Sequence, residues 1–80
     1  EEERKIKMIW DFRGPDAARI AQHHVVHLKE YIKSQDMKLN ICGVEEINPA
    51  HHIAFMVAYE NEVPPVRTAL KPHRGQIYKE

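Results

Sequence analysis

The chain has a single cysteine, Cys42, so no intrachain disulfide can form. A lone thiol fits a reducing compartment. It also has a single serine, Ser34, which leaves little room for serine-based covalent catalysis. Neither charge is in excess, because 12 basic residues balance 12 acidic ones. Nucleic-acid binding by phosphate attraction draws on a basic surplus, so nucleic acid is not an expected partner. No apolar run approaches the roughly 20 residues that span a bilayer, so no membrane contact is expected. The first residues, Glu1-Glu2-Glu3-Arg4, are charged where a signal peptide has an apolar stretch. A cytoplasmic location is the expectation. Glycine is scarce, three in all, and Gly14 and Gly75 lack the spacing of a phosphate-cradling loop. No repeat, low-complexity tract or linker divides the 80 residues, which are read as one domain, 1–80.

What the chain does have is histidine. Six occur, in three places: His23-His24-Val25-Val26-His27, His51-His52, and His73 before Arg74. Imidazole is the side chain that most readily acts as acid, base or metal ligand near neutral pH. Their meaning depends on where the fold puts them.

Residues 4–12 alternate, with Ile6, Met8, Trp10 and Phe12 on one face and Lys5, Lys7, Ile9 and Asp11 on the other. That predicts a strand. Gly14-Pro15-Asp16 punctuates the chain, and proline and an acidic residue suit a helix start. Residues 17–33 carry Ala17, Ala21, Leu28 and Ile32 at helical spacing, flanked by Ile20, Val25 and Tyr31. A second strand is expected over 38–47, with a bulge at Gly43. Asn48-Pro49-Ala50 turns the chain into a third strand over 51–60. In that strand Ile53, Phe55, Val57 and Tyr59 are assigned to the helix-covered side, with Trp10. The open side then holds Ile9, Cys42, Val44, Ala54, Met56 and Ala58. Asn61 is placed as the cap of a short helix with Pro64 and Pro65 in its first turn. A last strand is expected over 75–79.

The order β-α-β-β-α-β predicts an α+β, ferredoxin-like sandwich: a four-stranded antiparallel sheet, order 4-1-3-2, with two helices on one face. This topology fixes which connections meet. The segment Asp11–Asp16, the hairpin Glu46–His52 and the segment Pro72–Gly75 all fall at one end, here called the upper end. Ser34-Gln35-Asp36 and Glu60-Asn61-Glu62 fall at the lower end, far from the arginines.

The upper end therefore gathers the candidate ligand-binding residues Arg13, His51, His52, His73 and Arg74, beside Asp11. Arginine suits carboxylate and phosphate geometry. The leading expectation is a small homodimer that binds a small anionic molecule in a pocket lined by these residues. An acid–base enzyme is a second expectation, with His52 or His73 as base and Asp11 as its orienter. A third is a metal-binding protein that takes zinc or nickel at His23 and His27, four apart on one helix face, with His24 as a weaker candidate. The pattern lacks the glutamate of a His-Glu-x-x-His zinc site, and His24 fits a satisfied boundary histidine better. No other cofactor is expected. The plainest alternative is an interaction domain with no small-molecule site. The small, apolar residues of the open side argue against base stacking and for burial between two subunits.

Overall fold

A computed structural model describes residues 4–39 and 41–78 of the chain. The elements are β1 (Lys5–Arg13), α1 (Ala17–Ser34), β2 (Ile41–Asn48), β3 (His51–Tyr59), a 3-10 turn (Glu60–Glu62), α2 (Val63–Leu70) and β4 (Arg74–Ile77). The expected strands over 38–47 and 75–79 are shorter than that where described: Lys38, Leu39 and Tyr78 lie outside strand, and Asn40 and Lys79 fall outside the described residues.

The architecture is α+β, with a four-stranded sheet in the order β2-β3-β1-β4 and every pairing antiparallel. Counted from the other edge, that order is β4-β1-β3-β2. Both helices cover the same face, since α1 residues Val25, Leu28 and Ile32 share one core cluster with Val66 of α2 and with Met8, Trp10 and Met56. Among the described residues no helix is long and apolar enough to cross a membrane.

Local chemistry explains the joints. Gly14 has a φ of 111°, a backbone conformation that favours glycine, and its N–H donates to the Ala50 carbonyl at 2.8 Å. That bond joins the β1–α1 loop to the β2–β3 hairpin. In the hairpin the Asn48 side chain accepts from the Ala50 N–H at 2.9 Å, which closes the turn before β3. Trp10 donates from Nε1 to the Leu70 carbonyl at 2.9 Å and so fastens the end of α2 to β1.

The structure corrects the expected faces of β3. Cα partners in a sheet share a face, and Met8 pairs with Met56 while Trp10 pairs with Ala54. Ala54, Met56 and Ala58 therefore lie under the helices, and all three are fully buried. Cys42 and Val44 lie on that same side, opposite Met56 and Ala54. Ile53, Phe55, Val57 and Tyr59 instead lie on the open side with Ile9 and Asp11. The cause is that β3 is apolar on both faces, so alternation carries no sign. Ala54, Met56 and Ala58 face the helices, and Ile53, Phe55, Val57 and Tyr59 the other side.

This overturns the residue set on which the dimer and the argument against base stacking were built. Of that set, only Ile9 is on the open face, and it is itself buried. Phe55 is the aromatic in the middle of that face. Its ring lies over Gly43, where a Cβ would come within 3.1 Å of it. Lys7 covers the ring with its ammonium 4.5 Å from the centroid, and pairs with Glu45 at 2.8 Å. Gly43 thus makes room for Phe55 and is not a bulge. The register shift falls between Glu46 and Asn48, at Ile47. Asn61 sits within the 3-10 turn, and Glu62 occupies the N-cap position of α2.

Candidate functional site

Three strands meet at the upper end of the open face, and Asp11 on β1 holds them together. Its Oδ1 accepts from His51 Nε2 of β3 at 2.9 Å. Arg74 of β4 donates to both carboxylate oxygens, from Nε to Oδ2 at 3.1 Å and from Nη2 to Oδ1 at 3.2 Å. This is the planar two-point pairing that guanidinium makes with carboxylate. The backbone of Asp11 is engaged as well, its N–H donating to His73 Nδ1 at 2.8 Å. His73 in turn donates its own N–H to the Ile9 carbonyl at 3.0 Å. Its imidazole thus continues the hydrogen bonding of β1 one step beyond the end of β4.

The electrostatics set the protons. Burial by itself raises the Asp11 pKa, but the hydrogen bonds and charges of Arg74 and His51 together outweigh it and leave the carboxyl below its ordinary range. Asp11 is therefore ionised and can only accept. His51 must then carry a hydrogen on Nε2. Its Nδ1 has no partner among the described residues and is not enclosed. The Asp11 and His51 side chains are only 18% and 12% exposed, so the pair is shielded. His73 accepts at Nδ1, so its hydrogen sits on Nε2.

Arg13 stands directly across from His51 in the β1–β3 register. It is exposed and has no ion-pair partner among the described residues. The open face at this end thus presents Arg13, His51 and the outer part of Arg74, the last two held by one shielded carboxylate.

Of the expected site residues, Asp11, Arg13, His51, His73 and Arg74 come together. His52 does not join them. It lies on the helix-covered side opposite Glu46, whose Oε1 is 3.6 Å from its Nε2, and its buried Nδ1 has no partner among the described residues. Asp11 thus orients His51, one residue away from the expected His52. Arg74, expected to clamp a ligand, spends two of its donors on Asp11. No residue of this cluster escaped the sequence reading, but the role of His51 as the partner of Asp11 did. The signal for it lay in the parity of β3 against β1.

The histidines of α1 form a different group. His23 and His27 stack on each other with ring centroids 5.8 Å apart. His24 turns toward the sheet and packs against Trp10 at 4.9 Å and Phe12 at 5.5 Å. It is a boundary histidine, as expected, but not a satisfied one, since its Nε2 is buried without a partner among the described residues. Burial first, then the charges of His27 and His73, push its pKa down. No group of three histidine, cysteine, aspartate or glutamate side chains placed to hold a metal occurs among the described residues.

The sequence matches no family model, no curated protein and no solved structure.

Proposed function

We propose that the protein binds a small anionic molecule, a carboxylate or a phosphate, on the open sheet face at the upper end. The observation that carries this reading is the state of His51 beside Arg13. His51 is fixed through Nε2 by an ionised Asp11, and among the described residues its Nδ1 is unengaged and the arginine across from it has no counter-ion. A protonated His51 donates from both nitrogens at once, to Asp11 and to the ligand. Arg13 supplies a two-point donor. Asp11 and Arg74 are positioning residues, because they hold the imidazole and each other. The scaffold is read as ferredoxin-like on its element order and the shared core of its two helices.

Inorganic phosphate is the first probe. Titrated into isotope-labelled protein, it should shift the His51 ring and the amides of Arg13 and His51. Arg13→Gln should weaken it about tenfold, the loss of one charge-assisted contact. Equal phosphate affinity in the parent and in Arg13→Gln would remove this reading.

The Asp11–His51 pair favours a second reading, a small acid–base enzyme. A neutral His51 with its hydrogen on Nε2 offers its Nδ1 lone pair as a base, oriented by a carboxylate. The readings part at His51→Gln. That variant keeps the charge of Arg13 and part of the anion affinity, but it has no group to carry a proton.

A further inference from the structure

We infer that the groove between β4 and α2 is a second binding site, for an aliphatic carboxylate, which meets the Asp11–His51 cluster only at its His73–Arg74 edge. The groove has a volume of about 430 Å³ and lies on the helix-covered side, beyond the edge of the main core. That volume is in the range of small-molecule sites. Its floor is apolar, formed by Ile6, Met8, Val63 and Ile77. α2 has eight residues and buries only Val66, so it does not extend over β4. Ile77 lies opposite Ile6 on the helix side and remains 51% exposed as a result.

Gly75 keeps the groove open. It pairs with Met8, so a side chain there would project to the helix side. Its φ lies outside the left-handed region that favours glycine. A Cβ at this position would meet only Ile6 Cγ2 at 3.6 Å and the Lys7 carbonyl at 3.8 Å, both ordinary contacts. Neither backbone nor packing requires glycine here, and its effect is to leave space.

Charge selects the occupant. Arg67 projects from α2 at the groove, is exposed, and has no ion-pair partner among the described residues. An alkyl chain on the floor with its carboxylate at Arg67 buries apolar area and satisfies the guanidinium. A second copy packed groove to groove would set like charges together.

Octanoate, octanol and inorganic phosphate are the probes, read by amide shifts of the intact chain. Octanoate should move the amides of α2 and of Gly75 and Ile77, and phosphate should leave the α2 amides unmoved and should not compete. Arg67→Gln, a change on an exposed helix position, should weaken octanoate about tenfold, and octanol should bind the parent about tenfold more weakly. Gly75→Val should abolish octanoate binding by filling the groove. Valine also suits a strand better than glycine does. The inference is overturned if octanoate leaves α2 and β4 unmoved, if phosphate displaces it, or if Arg67→Gln and Gly75→Val both bind it as the parent does.

Discussion

The two faces of the sheet treat the same side chains in opposite ways. On the open face His51 is bonded to a shielded carboxylate, and its second nitrogen has no partner among the described residues. On the helix-covered side His24 and His52 each bury a nitrogen without a hydrogen-bond partner among the described residues. Adjacent residues in one strand, His51 and His52, thus fall into different chemistries because a strand alternates its faces. The apolar residues divide less cleanly. Met56 is fully buried in the common core and Phe55 beside it is partly exposed between Gly43 and Lys7, yet Ile9, Ile53 and Val57 on the open face are buried as well. A histidine in this protein is informative only once its face is known.

The largest expected effect breaks the comparison at its apolar level. Met56→Lys places a charge in the dry core and should destabilise the chain by at least about 4 kcal/mol, enough to leave a domain of this size unfolded. Phe55→Ala, one position away, should lose about 1–3 kcal/mol and leave the chain folded, since that ring keeps contact with solvent. Denaturant unfolding of the two variants reads the difference. Equal losses would mean that the faces are not distinct.

Asp11→Ala comes next. It removes the acceptor of His51 and of Arg74, and should lower stability by about 1–2 kcal/mol, a figure reduced for the half-exposed arginine. The pH dependence has a definite sign. The carboxyl is held below its ordinary range in the folded chain, so its stabilisation is complete above that range. It is lost as the pH falls through the lowered folded value. Asp11→Asn should flatten this part of the acid limb of a stability–pH curve.

His24→Phe tests the other side and should stabilise, by about 1 kcal/mol, since it removes a buried nitrogen without a partner and keeps a ring against Trp10 and Phe12. The folded-state pKa of His24 is depressed, so the unfolded chain takes up its proton at the higher pH. Stability therefore declines as the pH drops below the ordinary histidine range, and thermal melts of His24→Phe should show less of that decline. Loss of stability in this variant would mean that His24 has a partner worth keeping.

Much of this was legible in the sequence, and the limits have physical causes. β1 and α1 alternate sharply between apolar and charged residues, so their faces could be read directly. The gathering of Asp11, His51, His73 and Arg74 followed from topology, because the order of elements determines which loops share an end. The faces of β3 did not follow. The stretch His51–Tyr59 is apolar at both parities, and only its pairing with β1 separates them. Reversing that parity moved Asp11 from the expected His52 to His51. The extra residue at Ile47 was equally hidden, since a bulge depends on the pairing between strands and not on composition.

The central claim is that His51 is held at Nε2 by Asp11 and presents Nδ1 to a ligand. Long-range nitrogen–proton spectra of the imidazole rings, recorded with and without phosphate, test it most directly. The account predicts hydrogen on Nε2 of His51 in the free protein above the histidine titration range, and loss of that fixed tautomer in Asp11→Asn. It also predicts a phosphate-induced change at Nδ1 of His51 that His52 does not share. Hydrogen on Nδ1 of His51 in the free protein, or a phosphate response at His52 instead, would contradict it.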